Sequence, residues 1–168
     1  MTQPAAEPGT VGHSRVVMSQ VVLPAHAGPG GVWAHGGEIM KLMDTAAGMA
    51  ALRHAHCPVV TLRVEGINFL RPVRVGNYVV AEARLTFVSA STMEVRVQVT
   101  AEDVLHDKTF EAITSYFLFV ALGEDGSTRE VPPLKIRTEE ERRLYEQGRM
   151  RHDLCRIDEH GKALCALE

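Results

Sequence analysis

The 168-residue chain is 45% hydrophobic and 23% charged, the profile of one compact domain with at most a short appendage, which excludes a second full domain. Eighteen basic and twenty-one acidic residues, well interspersed, leave a formal charge of -3, which excludes the electrostatic footprint of a nucleic-acid binder and any polybasic membrane patch. No apolar run approaches the roughly 20 residues of a bilayer span and the N-terminus lacks the apolar core of a signal peptide, so a soluble, cytoplasmic protein is expected, with its three widely spaced cysteines (Cys57, Cys155, Cys165) as free thiols.

Residues 1–13 carry too few apolar groups to offset the cost of ordering them and are expected to be a flexible leader. From Arg15, the β-branched segment Val16, Val17, Met18, Val21, Val22 and Leu23, stopped by Pro24, predicts a strand. The stretch AHAGPGGVWAHGG, residues 25–37, holds five glycines and one proline and predicts a tight loop with exposed backbone. Gly37 to His56 has no proline and is rich in Ala, Leu and Met, so a long helix is expected. It is apolar nearly all round, through Ile39, Met40, Leu42, Met43, Ala46, Ala47, Met49, Ala50, Ala51 and Leu52, which calls for a sheet wrapped about it. Pro58 bars continuation.

Beyond Pro58 the period changes from 3.6 to 2. Val60, Leu62 and Val64 fall on one face of a strand and Thr61, Arg63 and Glu65 on the other, to about Phe69. Further strands are predicted over Tyr78 to Val88, around Met93 to Val99, and over Thr109 to Leu122, the last apolar on both faces and so central or at a subunit interface. Thr138 followed by Glu139, Glu140 and Glu141 predicts the capped, acidic start of a second, exposed helix to about His152. The fold class expected is α+β, an antiparallel sheet around a long central helix plus a charged C-terminal helix, with a core over residues 14–133 and a helical extension and tail over 134–168. One sheet cannot cover its own edges, so self-association is expected.

Asp44 stands in the middle of the apolar helix, where an ionised carboxylate is costly unless compensated; it faces a wet groove or acts as a general base or nucleophile. Gly36 and Gly37 at the helix start offer N–H groups at the positive end of the helix dipole, suited to polarise a thioester or ester oxygen. Together these form an acyl-transfer constellation. His26 and His35 in the loop are candidates for substrate contact. His54, His56 and Cys57 look like half a metal site, but no matching ligand cluster is present and no metal is expected. The serines lie outside any GxSxG elbow, and GPGG at 28–31 lacks the lysine of a phosphate loop.

The segments HGGEIMKLMDTAAGMAALRH (35–54), VVTLRVEGINFLRPVRVGN (59–77), STMEV (91–95) and FVAL followed by VPPL, in this order, resemble the hotdog-fold acyl-coenzyme A thioesterases of the YciA and brain acyl-CoA hydrolase type, over roughly residues 15–150. The resemblance implies dimers with a continuous sheet, hexamers built as trimers of dimers, and active sites at the dimer interface, without a cofactor. It implies Asp44 as the catalytic carboxylate, Gly36 and Gly37, with His35 beside them, near the thioester carbonyl, and coenzyme A contacts from Thr45, Asn68, Arg71, Arg74, Ser91, Thr92 and Arg53. Members commonly carry an asparagine in the loop before the helix; Gly28 stands there in this chain, with one extra residue. The reading is a homo-oligomeric acyl-CoA thioesterase of fatty acid metabolism. The competing readings are a catalytically quiet protein of the same fold that binds acyl-CoA or a nucleotide and, ranked last, a dehydratase or isomerase.

Overall fold

The computed structural model describes residues 7–157 and 163–165. Five strands form one antiparallel sheet: β1 (Val16–Val21), β2 (Val59–Phe69), β3 (Tyr78–Val88), β4 (Thr92–Asp103) and β5 (Lys108–Ala121), in the spatial order β1-β3-β4-β5-β2. Helix α1 (Val11–Ser14) precedes the sheet, α2 (Gly36–Ala55) follows β1, and α3 (Glu139–Leu154) follows β5. A two-stranded ribbon, β6 (Cys155–Ile157) and β7 (Ala163–Cys165), closes the described chain.

Helix α2 lies in the concave face of the sheet because its small residues let it approach. Ala46, Ala47, Ala50 and Ala51 are fully buried with Met43, and Ile39, Leu42 and His54 continue the same stripe at three- and four-residue spacing. Val79, Val95, Val97, Val99 and Ile113 meet it from the sheet, fully buried. The helix ends at His56, which takes a left-handed conformation at φ 52 ahead of Pro58. It is not wrapped all round: Met40, Met49 and Leu52 remain about two-fifths exposed in the single chain, at 38%, 45% and 40%.

Strand β5 lies inside the sheet, between β4 and β2. The edge strand β2 departs from simple alternation. Its register against β5 shifts between Thr61 and Arg63 and again between Glu65 and Asn68, the second shift coinciding with Gly66 at φ +60, a conformation that favours glycine at a bulge. Ser115 donates to Glu65 O over 2.7 Å at this irregularity. The expected grouping of Thr61 with Arg63 and Glu65 on one face is therefore corrected: the extra residue turns Thr61 toward α2, while Arg63, ion-paired with Glu65, borders the opposite face near Glu94 and Gly148.

The C-terminal helix is less exposed than expected. It docks on the outer face of β3 and β4, burying Leu144 and Gly148. Thr138 and Glu141 cap its start reciprocally, Glu141 N to Thr138 Oγ1 at 3.1 Å and Thr138 N to Glu141 Oε2 at 3.2 Å. The Arg151 guanidinium holds both Glu94 carboxylate oxygens at 2.8 Å, and Phe87 packs on Tyr145 with centroids 5.0 Å apart. Part of the expected leader is ordered as well. Thr10 caps α1 through His13 N, Val11 is buried, and Ser14 Oγ accepts from Leu85 N at 3.1 Å, because one buried valine and a buried hydroxyl suffice to pin a single turn to β3. No helix among the described residues is long and apolar enough to cross a membrane.

Candidate active site

Asp44 sits midway along α2 on its uncovered side, exposed in the single chain rather than buried as its apolar neighbours suggest. The helix period resolves the contradiction: Met43 and Ala47 point into the core while Asp44, a step of about 100° away, points out. Thr61 Oγ1 donates to Asp44 Oδ1 over 2.8 Å, which leaves Oδ2 open and fixes the carboxylate against β2. The pair stands at a groove of about 880 Å³ between α2 and the strands β2 and β5, whose remaining lining is mostly apolar, with Gly48, Met49, Leu52, Val59 and Phe119.

Gly36 and Gly37 start α2, as expected, but their two N–H groups are not equivalent. His35 is the N-cap, and its Nδ1 accepts from Gly37 N at 3.0 Å, so Gly37 is already satisfied. The Gly36 N–H belongs to the first-turn set with no acceptor inside the helix. Both glycines also have a steric reason: a Cβ at Gly36 would stand 3.1 Å from Phe69 Cζ, and one at Gly37 2.9 Å from His35 Nδ1. The expected role for His35 as a substrate contact thus meets a structural one as a cap. His26 is likewise engaged, its Nδ1 accepting from Leu23 N at 3.2 Å.

The helix-start glycines and Asp44 do not converge within one chain. Seven residues of helix between Gly37 and Asp44 span about 10 Å, more than a single carbonyl carbon can bridge. Gly36 borders a separate hollow of about 390 Å³ with Trp33, Phe69 and Val73, and the two hollows share no lining residue among those described.

The candidate coenzyme A contacts divide in the same way. Thr45 borders the groove but spends its hydroxyl proton on Lys41 O at 2.8 Å. Asn68, Arg71 and Arg74 lie at and beyond the far end of β2, near the α2 start; Asn68 Nδ2 donates to Gly66 O at 3.2 Å, Arg74 stacks 5.1 Å from the Trp33 ring centroid, and Arg71 lies 5.8 Å from that of Phe110. Ser91 ends the β3–β4 turn and Thr92 opens β4, with Ser91 O accepting from Ala121 N at the end of β5. That is toward the opposite end of the sheet: Asn68 is in register with Thr114 and Gln98, six residues along β4 from Thr92, about 20 Å by strand rise. Arg53 belongs to neither group. It projects from the side of α2 opposite Asp44 and donates to Arg15 O at 2.6 Å, because nine residues of helix are two and a half turns.

His54 is 2% exposed, with Nε2 donating to Pro132 O at 2.7 Å and Nδ1 buried without a hydrogen-bond partner. Burial holds its imidazole below the ordinary histidine range, opposed by the Pro132 carbonyl and reinforced by His56 and His13. It is a core residue tying α2 to the segment before α3. Sequence reading missed Thr61, whose only signal was a hydroxyl on an otherwise apolar stretch of edge strand, and it missed Arg151 and Glu94, which are 57 residues apart in the chain.

Residues 33–106 match the Thioesterase superfamily. The chain is 35% identical over 159 residues to the cytosolic acyl coenzyme A thioester hydrolase of Homo sapiens, a match covering 94% of this chain and 42% of the human protein. The chain thus spans about two fifths of the length of the mammalian hydrolases it matches. A solved apo-hexameric acyl-CoA thioesterase superposes with a TM-score of 0.81 at 31% identity, covering 88% of this chain and 92% of that one. The acyl-CoA hydrolase of Staphylococcus aureus, solved with butyryl coenzyme A, coenzyme A and coenzyme A disulfide, superposes with a TM-score of 0.78 at 28% identity, covering 86% and 87%. That hydrolase has also been solved as variants in which an aspartate, an asparagine or a threonine is replaced by alanine.

Proposed function

The chain belongs to the hotdog-fold thioesterase superfamily, and on that premise we propose that it hydrolyses the thioester of acyl-CoA to a free carboxylic acid and coenzyme A, with Asp44 as the reacting carboxylate. The observation that carries this reading is the Asp44–Thr61 pair, an exposed carboxylate held through one oxygen at 2.8 Å on the border of a mostly apolar groove. A fixed, accessible carboxylate beside an acyl-sized groove is what thioester hydrolysis requires.

Two routes are open to it. As a general base, Asp44 takes a proton from a water whose oxygen bonds to the thioester carbon; the tetrahedral oxyanion then collapses, the C–S bond breaks, and the coenzyme A thiolate takes up a proton. As a nucleophile, the carboxylate displaces the thiolate to form an anhydride that water opens. In both, the developing oxyanion needs an N–H donor, and Gly36 is the better placed of the two glycines because Gly37 is occupied by its cap. About 10 Å of helix separates these groups in one chain, so the donor facing Asp44 comes from a second copy. A dimer follows as the working unit, and the hexameric thioesterases this chain resembles support a hexamer built as a trimer of such dimers.

The solved variants support the assignment of Asp44 and Thr61. In the Staphylococcus aureus hydrolase the substituted aspartate and threonine are seventeen residues apart, and Asp44 and Thr61 have the same spacing. The substituted asparagine precedes that aspartate by fifteen residues; Pro29 holds this position here and Gly28 adjoins it, so neither supplies an amide. That absence favours, as a second reading, a protein that binds acyl-CoA without turnover. The cytosolic human relative supports a cytosolic protein, with residues 14–133 as the catalytic core and 134–168 as an extension.

Release of free thiol from a panel of acyl-CoAs tests the reading. Turnover by the natural protein, with at least about a hundredfold loss in Asp44→Asn, is expected. Near-natural rates in the variant overturn the role of Asp44, and calorimetric binding of acyl-CoA without any thiol release selects the second reading.

A further inference from the structure

Strand β2 carries one extra residue at each of its two register shifts. Thr61 lies opposite Phe119 and Arg63 opposite Leu118, two steps on β2 against one on β5; Glu65 lies opposite Tyr116 and Asn68 opposite Thr114, three steps against two. Each insertion turns the residues beyond it to the other face of the sheet. The first puts Arg63 and Glu65 on the outer face, and the second brings Phe69 back to the face of Thr61, opposite the fully buried Ile113. Both ends of β2 thus meet α2. Thr61 bonds Asp44, and the Phe69 ring closes on the start of the helix, its Cζ 3.1 Å from where a Cβ at Gly36 would stand. With the first insertion alone, Phe69 would point away from the helix.

The second insertion is pinned from the neighbouring strand. Gly66 takes φ +60 there, and Ser115 Oγ donates to Glu65 O over 2.7 Å, supplying a donor for a carbonyl at a point where a bulge interrupts the ladder. Ser115 is fully buried, the hydroxyl in an inward row of β5 that otherwise holds Ile113, Phe117, Phe119 and Ala121. A hydroxyl in such a row is costly unless it bonds, and alanine would serve apolar packing alone. What the hydroxyl adds is the place at which β2 bulges.

We infer that Ser115 is a positioning residue for thioester hydrolysis, acting through Phe69 on Gly36. The inference rests on the acyl-CoA hydrolase reading and deepens it by adding a residue that acts from the interior of the sheet. Glycine is the freest residue of the backbone, and the Gly36 N–H is the donor left for the oxyanion, since that of Gly37 is taken by its cap. A ring held against Gly36 limits that freedom, so the N–H keeps one direction before charge develops on the substrate oxygen. A bulge that drifts toward the end of β2 turns Phe69 outward and releases Gly36, while Thr61, which precedes the bulge, keeps its bond to Asp44.

The test is a pair of double-mutant cycles, read as kcat and KM for thiol release from the acyl-CoA that the natural protein turns over fastest. Ser115→Ala lowers kcat by about tenfold and leaves KM within about twofold. In a Phe69→Ala background the same substitution changes kcat by less than about twofold, because the contact it protects is already gone; in a Thr61→Val background it again costs about tenfold, because the two act at different ends of the site. Gly66→Ala, strained at its positive φ, disturbs the same bulge from β2 and replaces Ser115→Ala in both cycles should that variant fail to fold. Circular dichroism melts and light scattering accompany every variant. An undiminished loss in the Phe69→Ala background, an unchanged kcat in Ser115→Ala, or a loss that comes only with dissociation into smaller species makes Ser115 a structural residue and overturns the inference while the hydrolase reading stands. A natural protein that releases no thiol from any acyl-CoA sinks the hydrolase reading and the inference with it.

Discussion

Thr61 on β2 donates its hydroxyl proton to Asp44 on α2 across 2.8 Å, and this bond exists because strand β2 slips register just after Thr61. Without the slip, the threonine would share a face with Arg63 and Glu65. Replacing Thr61 by valine keeps the shape and removes the donor. We expect a loss of activity of about tenfold or more from the mispositioned carboxylate, carried by kcat more than by KM in steady-state assays. Asp44→Ala should lose at least about a hundredfold yet change stability by only about 0.5 kcal/mol, because the carboxylate is exposed in the single chain. A melting temperature well above the natural protein's would show instead that burial at an interface strains Asp44.

Strand β2 is a sheet edge and leaves Val60, Leu62 and Val64 between 37% and 49% exposed. An open edge with apolar residues is a pairing surface. Light scattering at micromolar concentration should give a dimer or a multiple of it, with a hexamer expected, and Leu62→Lys should shift the distribution toward smaller species. A monomeric natural protein would contradict the two-copy site.

At Gly28 a Cβ would meet His35 Cα at 3.5 Å, an ordinary contact, so Gly28→Asn should fold. If a loop amide is what the site lacks, hydrolysis rises in this variant. A tenfold or greater loss with the fold intact would place the missing amide elsewhere, with Pro29 the next position to test.

Helix α3 is held by Arg151 on Glu94, which is 5% exposed, and by the close approach at Gly148. Arg151→Met leaves the Glu94 carboxylate buried with only the Thr86 hydroxyl, at 2.6 Å, as a side-chain partner, at a cost of about 2 to 3 kcal/mol. For a chain of this length that is a fall in melting temperature of about 5 to 10 °C. Gly148→Ala should detach the helix by steric overlap with Phe87, seen as faster proteolysis of the C-terminal segment.

His54 predicts an acid-side loss of stability. Its folded pKa lies below the unfolded value, so the unfolded chain binds the proton first and stability rises with pH across the interval between the two. The contribution is complete above the unfolded histidine value of about 6.5 and is lost as pH falls from there toward the lowered folded value. Thermal melts between pH 8 and pH 5 should show this fall, and His54→Gln should flatten it. An unchanged slope in the variant would assign the effect to other groups.

Local chemistry was legible in the sequence. Proline and glycine punctuation, the change from helical to strand periodicity at Pro58, and the Thr138–Glu141 cap each act within a few residues, and the structure places α2, β2, β3 and α3 within a residue or two of the expected ends. Asp44 stood out for the same reason, as the lone acid in an apolar run. What required the tertiary structure is whatever depends on where a side chain points after distant segments meet. Alternation could not reveal that a bulge turns Thr61 inward, nor could spacing show that Arg53 faces away from the groove, that the Gly37 N–H is consumed by its own cap, or that Glu94 and Arg151 pair across 57 residues. Helix geometry alone separates Asp44 from the helix-start glycines by about 10 Å. The folded sheet then leaves the edge beside Asp44 open, so a second copy can reach it.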